Sequence, residues 1–306
     1  MAAFDRPSRR ALRLCRGSRS RGRSRGLRLP LSARPLRPPD APPLRTVFLD
    51  LGDTLMYVHP DVPTLYRESC VELGLDVDAA TVDAALHVGE RMYRDALRRG
   101  RTFESSLGEA RAFWQEYNEL ILGELGARGD VAHMARALTE RFWAPRAWRV
   151  FPEVHSVLAA LRDAGLQLAV ISNFTDALIA VCRTHDLDGY FDCLVASATM
   201  GAQKPDTAIF REALRRTGAD PAAALHVGDN YVADVLGARA AGMDAVLLDR
   251  SRSGGRGMFD FALRDGIGGT TTVEVDCPVI ADLSELLSLV KPAPQGAPAV
   301  EDGRGG

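Results

Sequence analysis

Thr46-Val-Phe-Leu-Asp50-Leu-Gly-Asp-Thr54 joins a short, mostly apolar run to a turn that carries two carboxylates. A run of this length, ended by Asp and Gly, is the pattern of a strand buried on both faces. Outward along the chain the pattern recurs at Leu166-Gln-Leu-Ala-Val-Ile171, Cys193-Leu-Val195, Ala224-Leu-His-Val227 and Ala245-Val-Leu-Leu248. The stretches Glu153 to Asp163, Asp176 to Thr184, Thr207 to Arg216 and Val232 to Ala241 carry apolar residues at spacings of three and four. Gly165, Gly218 and Gly242 stand where helix C-caps belong. Strands alternating with helices predict an α/β fold with a doubly wound parallel sheet.

The predicted core comprises residues 45–58 and 150–290. Between its two parts, residues 59–149 have helical periodicity throughout, broken at Gly74, at Gly100 to Arg101 and between Gly126 and Gly129, which predicts several helices inserted after the first strand. Residues 1–44 form an Arg-rich, Pro-rich tail and residues 291–306 a second loose tail, neither with enough apolar surface to order itself. The first tail has three readings: an inert extension, a targeting segment with transit-peptide composition, or an arm for polyanions.

Charge separates tail from body. Residues 1–45 hold 13 arginines against two acids, and the remainder holds 25 basic and 38 acidic residues. An acidic body argues against nucleic acid as a partner of the folded domain, because phosphate contacts need clustered Lys and Arg. The longest apolar runs fall far short of the ~18 residues a spanning helix needs, so no membrane role is expected. Five scattered cysteines without a C-x-x-C pair read as reduced thiols in a cytoplasmic protein.

In an open α/β sheet the residues just after the strands line the site. Here these are Asp50-Leu-Gly52-Asp53-Thr54, Ser172-Asn173, Lys204-Pro205 after a loop, and Gly228-Asp229-Asn-Tyr-Val-Ala-Asp234. Taken singly, each Asp is an ordinary turn or N-cap residue. Together, carboxylates at one sheet edge suit Mg²⁺, which takes oxygen ligands and leaves room for a phosphate, and the hydroxyl and lysine would face that phosphate. Lys204 is one of only two lysines among 38 basic residues. A compact ammonium differs from a planar guanidinium where a crowded site needs a point charge.

These four segments, in this order and context, resemble the haloacid dehalogenase superfamily of hydrolases, in the subgroup with a helical cap inserted after the first strand. The resemblance spans about Thr46 to Val290. It implies a Rossmann-like core, a cap that closes over a small substrate, and Mg²⁺ as cofactor. It makes Asp50 the nucleophile that forms an aspartyl-phosphate, with Lys204 neutralising the charges. Ser172 and the backbone of Asn173 would hold the phosphoryl oxygens. Asp50, Asp229, Asp234 and the carbonyl of Gly52 would form the metal site.

The pattern departs from the family at one point. Superfamily phosphatases read Asp-x-Asp-Gly-Thr, where the second Asp is the general acid and base, whereas this chain has Gly52 there and Asp53 one place later. Loss of acid and base help is worth about 10² to 10⁴ in rate. The expectation is a phosphatase of low activity acting on a small phosphorylated metabolite. Asp53 turning inward, His59 in the hinge, or a substrate with a good leaving group are the ways around the loss. Two other readings stand beside it: a dehalogenase, for which Arg67 is a candidate halide-binding arginine, and a weakly active ligand- or partner-binding protein.

Overall fold

The computed structural model describes residues 37, 41–72, 74–253 and 275–290. The two tails lie outside them except for residues 37 and 41–44, as does the 254–274 stretch of the expected core. Of the tail residues described, Leu44 is buried in the core, and Arg37 pairs with Asp244 at 2.5 Å.

All five strands read from the sequence are present: β1 (Thr46–Leu49), β4 (Gln167–Ser172), β5 (Cys193–Ala196), β6 (Ala224–Gly228) and β7 (Asp244–Leu248). Two short strands, β2 (Met56–Val58) and β3 (Trp148–Val150), and an edge strand, β8 (Val279–Ile280), were too brief to carry a periodic signal. The main sheet runs β5-β4-β1-β6-β7-β8, and every pairing in it is parallel. The fold is α/β, as expected. From β1 the order leads to β4 and β5 on one side and to β6 and β7 on the other, so the crevice where such sheets bind ligands opens at the end of β1.

Side chains alternate across the sheet with the strand period of two. Val47 and Leu49 join Leu168, Val170, Leu225 and Val227 on one face, beneath α5 (Val154–Asp163) and α6 (Ala177–Thr184). Phe48 joins Ala169, Ile171 and Val195 on the other, against α8 (Thr207–Thr217). Helix α8 follows a one-turn helix, α7 (Ser197–Met200), and ends on Gly218 at φ +66°, a left-handed C-cap that disfavours a side chain.

Four helices lie between β2 and β3: α1 (Val62–Glu72), α2 (Ala79–Arg98), α3 (Leu107–Glu124) and α4 (Val131–Trp143). They break where the glycines predict. Asp78, Ser106 and Asp130 cap α2, α3 and α4 by accepting the N–H of Thr81, Glu109 and His133. Buried Asn118 on α3 accepts from Tyr66 on α1 and donates to Thr139 on α4, so one amide ties three helices. β2 and β3 pair antiparallel, Met56 against Val150 and Val58 against Trp148, and carry the chain into and out of the helical insertion side by side. Among the described residues no helix is long and apolar enough to cross a membrane.

The predicted helix over Val232 to Ala241 differs in kind. It begins as a π-helical turn, Tyr231–Leu236, and only then becomes α-helical, α9 (Gly237–Ala240). Asn230 caps it by accepting the N–H groups of Val232 and Ala233. Such widened turns concentrate at functional sites.

Arg250, just past β7, anchors the turn after β1. Its guanidinium donates to the carbonyls of Asp53 at 3.0 Å and Thr54 at 2.5 Å, pairs with Glu153 at 2.8 Å and lies 3.4 Å over the Phe151 ring. Removing one partner of a buried ion pair leaves the other charge stranded. Arg250→Met is therefore expected to lower the unfolding free energy by about 3–5 kcal/mol, read as a shifted urea midpoint at unchanged slope; an unshifted midpoint would refute the anchoring role.

Candidate active site

Leu49 sits in register between Val170 and Val227, so the residues following β1, β4 and β6 emerge at one edge. Asp50 is fixed there by its N–H, which donates to the Val227 carbonyl at 2.9 Å. Ser172 ends β4, buried, and Asp229 follows β6, half-buried. Lys204 arrives from the loop between α7 and α8. The side chain of Asn173 holds that loop by its peptide, donating to the Lys204 carbonyl at 3.1 Å and accepting the Lys204 N–H at 2.7 Å. The sequence predicted a backbone role for Asn173 toward phosphate; its side chain is committed to placing the lysine.

Lys204 Nζ lies 2.6 Å from Asp50 Oδ1 and 2.6 Å from Asp234 Oδ1, with all three groups buried. Burial alone would strip the ammonium of its proton, but Asp234 and Asp50 beside it raise its pKa and keep it charged. Burial likewise works against the Asp234 carboxylate, yet Lys204 and the hydrogen bond from His226 hold it below the usual range. Asp50 is shifted upward by burial, with Lys204 only partly offsetting this. Asp229 is pushed well up, first by burial and then by Asp53, Asp50 and Asp234.

Asp50, Asp229 and Asp234 each place a carboxylate oxygen within 4.8 Å of the others. With all three carboxylates ionised, one ammonium would leave two negative charges in excess, a surplus that joins burial in driving Asp50 and Asp229 upward and that a divalent cation would neutralise. Oxygen donors alone, with no thiol or imidazole among the three, fit a hard ion such as Mg²⁺.

Asp234 is positioned from every side. Its Oδ1 accepts from Lys204 and from His226 Nε2 at 2.8 Å, and its Oδ2 accepts the Asn230 N–H at 2.9 Å. His226 is fully buried, and its Nδ1 makes no hydrogen bond among the described residues. The network thus assigns the proton to Nε2. A side chain at Gly228 would fall directly on the Asp234 carboxylate, so glycine is required by that close approach.

Gly52 has ordinary backbone and open space: a Cβ there would meet only Trp148, at 3.8 and 3.9 Å. Asp53 is buried at φ +53°. Adjacent side chains point apart only in extended backbone, and this left-handed residue is not extended. Its charge reaches Asp229 more strongly than any other neighbour's. His59 is exposed at the surface end of β2, and Arg67 is exposed on α1.

Two residues escaped sequence reasoning. His226 was visible as a polar interruption in an otherwise apolar strand. Gln203, beside Lys204, is buried, and its Oε1 accepts the N–H groups of Phe103 at 2.8 Å and Glu104 at 2.7 Å in the turn between α2 and α3. Nothing in the sequence pairs residues a hundred positions apart.

An acidic cluster and a single ammonium at the switch point of a parallel sheet define a hydrolase-type site, and comparison with known proteins gives the family. Residues 44–242 match the haloacid dehalogenase-like hydrolases, and the chain belongs to that family. The mouse haloacid dehalogenase-like hydrolase domain-containing protein 3 is 32% identical over 73% of this chain and 87% of its own length. A glyceraldehyde 3-phosphate phosphatase from Methanothermobacter thermautotrophicus is 34% identical over 81% of this chain and all (100%) of its own. The crystal structure of YfnB from Bacillus subtilis, assigned to the HAD-hydrolases, shares the fold with a TM-score of 0.62 over 81% of this chain and 99% of its own, at 17% identity. The protein is a hydrolase.

Gly228→Ala tests the packing of the centre. The added methyl must displace the Asp234 carboxylate, which is expected to lower stability by about 1–3 kcal/mol and to disorder Lys204 with it; a melting temperature equal to wild type would contradict this geometry.

Proposed function

We propose that this hydrolase is a Mg²⁺-dependent phosphatase of the cytoplasm, acting on a small phosphorylated metabolite through an aspartyl-phosphate on Asp50. The observation that carries the reading is the pair of 2.6 Å contacts by which Lys204 holds Asp50 and Asp234 together at the strand edge. Only Oδ1 of Asp50 is hydrogen-bonded among the described residues, which leaves Oδ2 as the attacking oxygen. The 34% identical archaeal relative is named for a small phosphorylated substrate, which supports the substrate class.

In the first step Asp50 Oδ2 bonds to phosphorus as the ester bond to the leaving oxygen breaks. Lys204 neutralises the carboxylate and the phosphoryl oxygens, a point charge already fixed before substrate arrives. The hydroxyl of Ser172 and the N–H of Asn173 bind the remaining phosphoryl oxygens. Water then attacks phosphorus, the acyl-phosphate bond breaks, and Asp50 and inorganic phosphate are released. Asp50, Asp229 and the Gly52 carbonyl would hold Mg²⁺; bound there, the ion would offset the charge of carboxylates and phosphate. Asp234, whose two oxygens already accept three hydrogen bonds, would reach it through water.

Asp50→Asn keeps the size of the side chain and removes the nucleophile. It is expected to abolish Mg²⁺-stimulated phosphate release from 4-nitrophenyl phosphate and from a panel of phosphorylated metabolites, with the melting temperature preserved. Release that persists in the variant would remove Asp50 from the mechanism.

A further inference from the structure

The mechanism above lacks a proton donor for the leaving oxygen, because position 52 carries no side chain. We propose that Glu104, on the turn between α2 and α3 of the helical insertion, is the catalytic acid and base of this enzyme and replaces the carboxylate missing at Gly52. The proposal rests on the phosphatase reading.

The geometry begins with Gln203. Its amide oxygen accepts both the Phe103 and the Glu104 N–H, so the turn is pinned one residue from Lys204. Phe103 is buried and stacked on Phe113 of α3, with ring centroids 4.1 Å apart, which holds the turn from the other side. Glu104 Oε1 accepts from Trp114 Nε1 at 3.2 Å, and Oε2 makes no hydrogen bond among the described residues. One oxygen is thus tethered and the other is left to carry a proton.

The charges that face Glu104 come from three directions. Lys204 and Asp50 at the sheet edge act on its charge, Trp114 donates to it from α3, and Tyr93 of α2 senses it in turn. Tyr93 also senses Asp229 and Asp234, as Glu104 senses Asp50, so this corner of the insertion shares the electrostatic field of the carboxylate cluster. Burial pushes the Glu104 carboxyl up to about 8, with Asp50 adding to the shift and Trp114 and Lys204 opposing it. The group is therefore protonated at neutral pH, the state an acid needs at the start of the cycle.

The proton balance closes. As Asp50 bonds to phosphorus and the ester bond breaks, the Glu104 proton passes to the leaving alkoxide and frees the alcohol. The resulting carboxylate takes a proton from the water that attacks the aspartyl-phosphate, which regenerates the acid together with Asp50 and phosphate. No other reactant is needed.

Glu104→Gln retains the Trp114 tether and removes the proton. The test compares kcat/KM, which reads the steps up to departure of the alcohol, for 4-nitrophenyl phosphate, phenyl phosphate and an alkyl phosphate. The expected loss is about 10²-fold or more for the alkyl ester and shrinks to a few-fold for the nitrophenyl ester, whose leaving group needs no proton. In wild type the alkyl activity should fall as pH rises through about 8, and the variant should lack that limb. Adding Gly52→Asp to Glu104→Gln should restore the alkyl activity selectively, which a merely structural role for Glu104 would not allow. An equal loss for all three esters, or none, overturns the proposal while the phosphatase reading stands. Absence of any Asp50-dependent release overturns both.

Discussion

A buried ammonium shared between two carboxylates is the constraint around which this molecule is arranged. Taking one lysine and two aspartates out of water is expensive, and their attraction repays it only when the geometry is tight and the remaining hydrogen-bonding capacity is filled. The neighbouring structure supplies this. Asn173 fixes the lysine by its peptide, His226 and the Asn230 N–H occupy the far side of Asp234, and Gly228 leaves the space into which Asp234 folds back. The π-helical turn after Asn230 carries Asp234, whose carboxylate points back to His226 on the strand from which the chain has just departed. A chain that uses lysine at only two of its 38 basic positions has one here, where a compact ammonium suits a place between oxygens it touches at 2.6 Å on both sides.

One ammonium does not balance the acids, and that imbalance directs the chemistry. Asp229 and Asp50 are both driven upward by burial, Asp229 further by the carboxylates around it. A divalent cation held by this donor set would offset the surplus, which a phosphate dianion entering the proposed site would otherwise meet as repulsion. Asp53 acts on the same cluster through Asp229. Its backbone is turned left-handed and held through its carbonyl by Arg250, and its charge acts on Asp229.

How much of this could be read from the sequence depended on whether a feature is local. Strands of four to six residues that end at Leu49, Ser172 and Gly228 announce themselves by composition, because a parallel strand buried on both faces must be apolar and must stop where the polar edge begins. Lys204 stood out by residue type alone. The two-stranded ribbon of Met56–Val58 and Trp148–Val150 did not, being three residues on each side and paired across some ninety positions. Helix periodicity over Val232 to Ala241 was legible, but its π-helical start was not. The left-handed backbone of Asp53 was not legible either, because composition says nothing of the sign of φ at a non-glycine residue.

Gln203 and Glu104 were the least legible of all, and the reason is physical. A glutamate on a polar turn of a helical insertion has the composition of any solvated residue until the fold removes its water. Here the turn is pinned beside Lys204 by two hydrogen bonds to one buried amide, Trp114 holds the carboxyl, and partial burial there raises its proton affinity. Any displacement of the turn that rehydrates Glu104 lowers its pKa toward that of an ordinary glutamate and disarms it as an acid at neutral pH. An acid borne by the inserted helices, unlike one built into the turn after β1, is competent only while those helices cover the site.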